Sequence, residues 1–300
     1  MHETWIEQLR AGTVIPASPL ALDGDRKWSE RYQRGLTNYY LDAGAKGVAV
    51  GVHTTQFAIR EHDLYEPVLT SVAETIDAHS TEQVIIRVAG ICGDTHQACA
   101  EAEVARSAGY HAGLLTTNAV RDRTETEILD HCRAVAETMP VFGFYLHSAV
   151  GGRTYSFRFW REFCNIENVV AIKIAAFNRY QTLDVIRAVI ESGRDDIALY
   201  TGNDDNIIND LLTPFRFNGR ERWFAGGLLG QWAVWTKQAV QMLERIHQAR
   251  ANETITFDWL AANAQLTDAN AAIFDAANDF AGCVPGVNEM LRRQGLLPSN

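Results

Sequence analysis

The sequence predicts a (β/α)8 barrel, an eightfold repeat of strand and helix, with additional helices at its C-terminal end. Eight short apolar runs are typical of strands, an amphipathic stretch follows each of them, and together they fill about 240 residues. A doubly wound open sheet is the alternative, but Ser18-Pro19-Leu20-Ala21 is not the glycine-rich loop expected after its first strand. We therefore expect residues 1–250 to form the barrel and residues 251–300 to form helices packed on it.

The predicted elements alternate regularly along the chain. The strands cover residues 13–18, 47–53, 84–90, 112–117, 141–147, 169–175, 197–203 and 223–227. The helices between them cover residues 29–44, 61–78, 95–108, 125–138, 156–165, 180–192, 205–213 and 231–250, and two extra helices cover 257–277 and 287–294. Thr124 with Glu127 predicts a capping box, and Asp94 with Gln97 predicts a related helix start.

The alternation of side chains within the strands predicts which residues face the barrel interior. In the second, fifth and sixth runs, one set of alternate residues is bulky and apolar, and the other set includes small residues. We expect the bulky set to pack under the helices and the other set to face inward. This places His53, Tyr145 and Lys173 inside the barrel near the C-terminal ends of their strands, where barrel enzymes carry their active sites.

Composition and charge narrow the class of protein. The net charge is −10, which argues against a nucleic-acid partner. The five cysteines form no Cys-x-x-Cys pair, so we expect neither a disulfide framework nor a structural zinc site. The start Met1-His2-Glu3-Thr4-Trp5 does not resemble a signal peptide, and no apolar run approaches the ~18 residues of a membrane span. These features predict a cytoplasmic protein without a membrane partner.

Lys173 is the most informative residue for chemistry because it is the only charged residue in its apolar strand. Burial lowers the pKa of a lysine, and the neutral amine is a nucleophile that forms Schiff bases with carbonyl compounds. Tyr145, on the neighbouring strand, has a hydroxyl suited to relaying protons. The alternatives are a lysine that reaches solvent or pairs with a carboxylate, and a core tyrosine bonded to backbone.

The Lys173–Tyr145 pair belongs to an ordered set of motifs. The set comprises Ser18-Pro19, Ala43-Gly44-Ala45-Lys46-Gly47-Val48 followed by Gly51, Tyr145 followed by Gly152-Arg153-Thr154, Ala171-Ile172-Lys173, and Gly202-Asn203-Asp204. With this set the chain resembles the dihydrodipicolinate synthase / N-acetylneuraminate lyase family. The resemblance implies a Schiff-base barrel with C-terminal helices and no cofactor, assembled as a homodimer or homotetramer. It also implies an imine between Lys173 and a 2-oxo acid such as pyruvate, with Tyr145 as proton relay and Arg153 near the entrance.

Two departures from the family pattern predict a divergent member. The family usually reads Gly-Thr-Thr-Gly-Glu where this chain reads Gly51-Val52-His53-Thr54-Thr55, so we expect Thr54, Thr55 and His53 to hold the substrate carboxylate. The paired tyrosines of the synthase subgroup are replaced by Thr117-Asn118-Ala119-Val120-Arg121. Both differences favour a substrate other than those of lysine biosynthesis or sialic acid cleavage.

Other polar and flexible residues leave alternatives open. Arg87 either clamps a substrate carboxylate or forms an inner ion pair with Asp204 or Asp205. Gly227, after Gly226, either offers its backbone N–H to a substrate anion or serves a tight turn. His53, His147, Asp204 and Asp205 include metal-ligand types, which would suit a metal-dependent hydrolase or class II aldolase. A ligand-binding descendant without catalysis is a third possibility.

Overall fold

The eight predicted strands all form in the computed structural model, which describes residues 4–80 and 83–299. The barrel strands are β1 (Val14–Pro16), β2 (Gly47–Val50), β3 (Ile86–Ile91), β4 (Ala112–Leu115), β5 (Val141–Leu146), β6 (Val169–Ala175), β7 (Ala198–Thr201) and β10 (Phe224–Leu229). Between β7 and β10, β8 (Phe215–Phe217) and β9 (Arg220–Arg222) form a short hairpin. Residues 1 and 300, the outer limits of the predicted barrel and extension, lie outside the described ranges.

Helices follow the barrel strands in turn. They are α1 (Trp5–Ala11), α2 (Glu30–Asp42), α3 (Tyr65–Ala78), α4 (Thr95–Ser107), α5 (Glu125–Thr138), α6 (Phe157–Cys164), α7 (Arg179–Ser192), α8 (Ile207–Leu212), α9 (Gln231–Val234), α10 (Thr236–Ala251), α11 (Phe257–Phe274) and α12 (Cys283–Arg293). Both predicted helix starts are confirmed, because Thr124 and Glu127 form a capping box and the Asp94 side chain accepts from the Gln97 N–H. The predictions missed α1 and the β8–β9 hairpin.

The sheet is a nearly closed parallel barrel. Its strands pair in the order β1-β10-β7-β6-β5-β4-β3-β2, and a parallel bridge between Ala17 and Ala49 joins the two ends of this order. The Ser18 N–H donates to the Ala49 carbonyl at 2.8 Å across the same seam. The predicted (β/α)8 fold is therefore confirmed, and α11 and α12 pack against α8 and α9 beside the barrel.

Apolar side chains form two layers that show which way each strand faces. The barrel interior contains Ala49, Phe142, Phe144, Ala171 and Tyr200, among others. The layer between strands and helices contains Val48, Val141, Tyr145 and Ile172. The small residues therefore face inward in β2 and β6, as predicted, whereas in β5 the bulky phenylalanines do.

The prediction that Tyr145 points into the barrel is wrong. Its ring lies 5.0 Å from that of Trp160 in α6, on the outer face of β5. Gly143 shares this outer face because a Cβ there would lie 2.6 Å from Cε1 of Phe163. A register shift between Val141 and Phe142 in the pairing with β6 accompanies this orientation. Small residues here make room for a helix rather than for a substrate.

Arg87 also lies outside the barrel. Its neighbours Ile86 and Val88 belong to the interior cluster, so its own side chain points toward the helices. There it forms an ion pair with Asp77 in α3. Arg87 does form an ion pair, but the predicted location inside the barrel and the predicted partners, Asp204 and Asp205, were wrong.

None of the helices within the described ranges is long and apolar enough to span a membrane.

Candidate active site

A cavity of about 70 Å³ lies at the C-terminal ends of the barrel strands. Its walls combine the ends of the strands, the turn after β2, and the C-terminal segment. The residues lining it are Ala17, Val52, His53, Thr54, Phe144, Leu146, His147, Val150, Lys173, Ala175, Phe177, Gly202, Asp204, Gly230, Phe274, Phe280 and Cys283. The lining is mostly apolar, with a few polar groups converging on one space, which is typical of small-molecule sites.

Lys173 enters this cavity from β6 and is 8% exposed. Its Nζ lies 4.4 Å from the centre of the ring of Phe144, the residue of β5 that pairs with Lys173 across the sheet. Within the described ranges, no carboxylate oxygen lies within 4.0 Å of Nζ. Burial lowers the pKa of the Lys173 ammonium, and the negative charge of Asp204 opposes this change. The site therefore raises the fraction of the neutral, nucleophilic amine above that of an exposed lysine.

Asp204 lines the same cavity from the loop after β7. Burial raises the pKa of its carboxyl group, and the positive charge of Lys173 opposes this change. Its Oδ1 accepts from the Gln231 N–H at 3.4 Å, and its backbone carbonyl accepts from Asn270 Nδ2 at 2.7 Å. Asp204 was predicted as a possible metal ligand or as a partner of Arg87, and the structure places it in the cavity that Lys173 enters.

The turn after β2 brings His53 and Thr54 to the cavity. Burial, and to a smaller extent the positive charge of Lys173, lowers the pKa of His53 to about 4. The neutral imidazole can donate one hydrogen bond. The Thr54 hydroxyl donates to the Ala17 carbonyl at 2.8 Å. Thr55, predicted to bind substrate, instead donates to the Ser18 carbonyl at 2.7 Å and does not line the cavity.

Three aromatic rings contact one another at the cavity. His147 stacks on Phe177 at 5.5 Å, and Phe280 lies 5.6 Å from His147 and 5.3 Å from Phe177. His147 Nδ1 accepts from the Ala149 N–H at 3.2 Å, which leaves Nε2 as the donor of the neutral ring.

The backbones of Phe177 and Phe280 lie in the left-handed region, with φ of 49° and 65°. Bulky residues adopt this conformation only when their surroundings hold them there, at a cost of order 1–3 kcal/mol each. The Asn203 side chain provides one such constraint, because its Oδ1 accepts from the Phe177 N–H at 2.9 Å.

The C-terminal segment contributes residues that the sequence did not single out. Phe274, Phe280 and Cys283 line the cavity from α11, α12 and the turn between them. Burial raises the pKa of the Cys283 thiol to about 12, so the thiol stays protonated near neutral pH. Because these residues follow the last barrel strand by many positions, no local pattern marks them as site residues.

Besides Thr55, three predicted site residues lie outside the cavity. The Tyr145 hydroxyl accepts from the Tyr155 N–H at 3.4 Å, between β5 and α6. Arg153 donates to the carbonyls of Arg121 and Arg123 at 2.7 and 2.8 Å. The N–H of Gly227 donates to the Thr13 carbonyl at 3.3 Å, so it is not free to bind an anion.

A buried ion pair supports the turn that holds His53 and Thr54. Arg60 donates two hydrogen bonds of 2.8 Å to the Glu101 carboxylate and further ones to the carbonyls of Gly51 and Gly90. The guanidinium thereby ties together the ends of β2 and β3, and the sequence reasoning did not identify this pair.

The proposed metal ligands do not form a metal site. His53, His147 and Asp204 all line the cavity, but Asp205 does not. In residues 4–80 and 83–299 no three His, Cys, Asp or Glu side chains form a group able to hold a metal ion.

This geometry can be compared with known proteins. A sequence model of the Dihydrodipicolinate synthetase family matches residues 11–214. The chain belongs to this family. The matched segment includes His53, Lys173 and Asp204, whereas Phe280 and Cys283 lie beyond it.

Curated relatives of this dihydrodipicolinate synthetase family member are distant. The 4-hydroxy-tetrahydrodipicolinate synthase of Ruthia magnifica subsp. Calyptogena magnifica is 25% identical over 182 residues, covering 60% of this chain and 58% of that protein. N-acetylneuraminate lyase 2 of Escherichia coli O6:H1 is 25% identical over 202 residues, covering 66% of this chain and 63% of that protein. The chain thus spans about three fifths of the length of these relatives.

Solved structures resemble this family member over nearly its whole length. Dihydrodipicolinate synthase from Bacillus anthracis superimposes with a TM-score of 0.74 at 21% identity, covering 95% of this chain and 89% of that one. N-acetylneuraminate lyase from Mycoplasma synoviae gives a TM-score of 0.73 at 13% identity, covering 97% and 90%. At these identities the similarity concerns the fold alone.

Proposed function

We propose that this chain is a lyase of the Schiff-base aldolase type. Its Lys173 would form an imine with a 2-oxo acid such as pyruvate, followed by aldol cleavage, condensation or dehydration. The observation that carries the proposal is the buried Lys173 amine in a cavity at the C-terminal end of the barrel. A structure of similar fold also supports pyruvate as a substrate. Dihydrodipicolinate synthase from Acinetobacter baumannii, with a TM-score of 0.73 at 17% identity, was solved in complex with pyruvate.

The cavity supplies the other groups that imine formation requires. Loss of water around Lys173 favours its neutral amine, whose lone pair attacks the 2-oxo carbon. The neutral imidazole of His53 and the Nε2–H of His147 are donors available to the substrate carboxylate. Thr54 would join them only by releasing its hydrogen bond to Ala17. In this arrangement no cofactor is needed, since the substrate is activated by its own covalent bond to the enzyme.

Reductive trapping tests the proposal directly. The chain contains four lysines, Lys27, Lys46, Lys173 and Lys237, so peptide mass spectrometry can assign any adduct. Borohydride added with pyruvate should leave a reduced adduct on Lys173 alone. Lys173→Arg should abolish the adduct, and Lys237→Arg, which alters an exposed lysine, should retain it.

The opposite outcomes would assign a different function. If no 2-oxo acid in a panel gives an adduct, the Schiff-base mechanism is wrong. Tight binding without turnover that Lys173→Ala leaves unchanged would favour the non-catalytic ligand binder. Bound Zn or Mn, with activity lost on chelation, would favour the metal-dependent hydrolase. The homodimer or homotetramer implied by the family stays a prediction, which light scattering on the purified protein can test.

A further inference from the structure

The proposed imine chemistry needs a group that moves protons, and Tyr145 is not in position to do so. Its hydroxyl meets the backbone of Tyr155 on the helix side of β5, while Lys173 points into the barrel. The side chains that share the cavity with Lys173 and carry exchangeable protons are His53, Thr54, His147, Asp204 and Cys283. The acid–base group should be sought among these.

Asp204 differs from the other candidates in its relation to the lysine. The thiol of Cys283 stays protonated and is a poor base, and the low pKa of His53 makes it a weak base. The Thr54 hydroxyl is already committed to the Ala17 carbonyl, and the basic Nδ1 of His147 is already occupied by the Ala149 N–H. Asp204 supplies the carboxyl group among the residues lining the cavity, and the positive charge of Lys173 acts on its pKa. A carboxyl group in this setting can both donate and accept a proton.

The backbone brings Asp204 and Lys173 to the same cavity. They extend from the ends of neighbouring strands, where the Gly202 N–H donates to the Ile174 carbonyl at 2.7 Å. The chain passes so close to the lysine that a Cβ on Gly202 would lie 2.5 Å from Lys173 Cε. Helix α11 holds this loop from the other side, through Asn270 to the Asp204 carbonyl and Thr267 to the Asp205 carbonyl, both at 2.7 Å.

Burial sets the proton distribution of the pair. The Lys173–Asp204 pair has two arrangements with the same number of protons. In one, an ammonium faces a carboxylate, and in the other, a neutral amine faces a carboxylic acid. Loss of solvent disfavours the charged arrangement, and the attraction between the two charges favours it. Burial changes both pKa values in the direction of the neutral arrangement. That arrangement combines a nucleophile with a proton donor.

We propose that Asp204 is the acid–base catalyst of imine formation and of enamine formation at Lys173. This inference rests on the proposed function. The role expected of Tyr145 on β5 is thereby assigned to the Asp204 carboxyl group, in the loop that follows β7.

The proposed steps move one proton back and forth. As the Lys173 nitrogen bonds to the 2-oxo carbon, the Asp204 carboxyl protonates the carbonyl oxygen, and the resulting carboxylate then removes a proton from the nitrogen. The carboxyl next protonates the hydroxyl, which leaves as water while the nitrogen lone pair forms the C=N bond. The carboxylate finally removes a proton from C3, whose bonding electrons form the C2=C3 bond of the enamine as the C=N electrons return to nitrogen.

Proton exchange at C3 of pyruvate isolates this role from substrate cleavage. Pyruvate is incubated with enzyme in D2O, and loss of the methyl proton signal is followed by NMR. Borohydride trapping at Lys173 is measured in parallel. Asp204→Asn should slow both by about 10²-fold or more, the usual contribution of general acid–base catalysis. Asp204→Glu should recover part of the exchange.

Two matched controls separate Asp204 from the adjacent carboxylate and from Tyr145. Asp205→Asn removes a neighbouring carboxylate that is exposed and outside the cavity, and Tyr145→Phe removes only the hydroxyl. Both should exchange C3 protons within about threefold of the native rate. The pH profile adds a signature, since the native rate should be bell-shaped and Asp204→Asn should lose one limb. Circular dichroism on each variant establishes that the fold is retained.

The outcomes distinguish this inference from the proposed function. If native enzyme forms no adduct with pyruvate or any other 2-oxo acid, both fail. If native enzyme forms the adduct and folded Asp204→Asn exchanges C3 protons at the native rate, only the role of Asp204 is wrong. Loss of exchange in Tyr145→Phe with a retained fold would return the role to the tyrosine and overturn the inference.

Discussion

Gly202→Ala offers a sharp test of how the fold positions Lys173. Gly202 follows β7 beside the lysine, and the added Cβ would lie 2.5 Å from Lys173 Cε and 2.9 Å from Ala175 Cβ. Neither distance is compatible with ordinary carbon–carbon contact, which begins near 3.5 Å. The methyl group of Ala175 has no rotamer with which to move away, so the lysine and the local backbone must both shift.

The distances set the expected magnitude. Lys173 Cε must retreat by roughly 1 Å to restore normal contact, and Nζ moves with it. A misplacement of about 1 Å in a reacting group can cost about 10²-fold in rate. Overpacking at a buried position also costs typically about 1–3 kcal/mol of stability. We therefore expect Gly202→Ala to fold with reduced stability and to form the Lys173 adduct about 10²-fold more slowly.

Borohydride trapping with pyruvate measures the rate, and urea denaturation measures the stability. Gly35→Ala is the control, because Gly35 lies exposed in α2 with no atom near the added methyl group. That change should leave trapping unaltered and stabilise the protein by about 0.5–1 kcal/mol. Native-rate trapping in folded Gly202→Ala would show that the position of Lys173 does not depend on this glycine, and the reasoning would be refuted.

Three further outcomes follow from buried groups elsewhere. Arg60→Met should destabilise the protein by about 3–5 kcal/mol in urea denaturation, because it leaves the Glu101 carboxylate buried and unpaired; an unchanged midpoint would contradict this. Cys283 should react with iodoacetamide more slowly than an exposed thiol at pH 8, since burial raises its pKa to about 12, and rapid labelling of the folded protein would contradict this. His131 is 1% exposed and burial lowers its pKa to about 4, so the unfolded chain binds a proton below pH 6.5 that the folded chain does not. Stability should fall as the pH drops from about 6.5 to 4, by up to about 3 kcal/mol for this residue, and His131→Gln should flatten the slope measured by thermal denaturation.

The order of strands and helices was readable from sequence because it depends on local signals. Eight apolar runs, each followed by an amphipathic stretch, sufficed to predict the barrel, and the capping residues Thr124 and Asp94 marked two helix starts. The isolated charge of Lys173 was visible in the same way, because a lone lysine in an apolar strand is unusual wherever the strand lies. Its inward orientation was also predicted, since β6 alternates clearly between large and small residues.

The face of β5 could not be read in this way. Every residue from Val141 to Leu146 is buried, so alternation distinguishes two faces without indicating which one is inside. The fit of Phe163 against Gly143 and the register with β6 turn Phe144 inward and Tyr145 outward. Both depend on segments distant in sequence.

The neighbours of Lys173 depend on the same kind of long-range contact. Asp204 approaches the lysine because β7 pairs with β6 and α11 holds the following loop, and Cys283 arrives from a helix beyond the barrel. A strand pattern predicts which residues lie near the end of a barrel, since all parallel strands end on one side. Which of those residues meet in one cavity depends on pairing register and on packing between elements far apart in the chain, and those contacts exist only once the chain has folded.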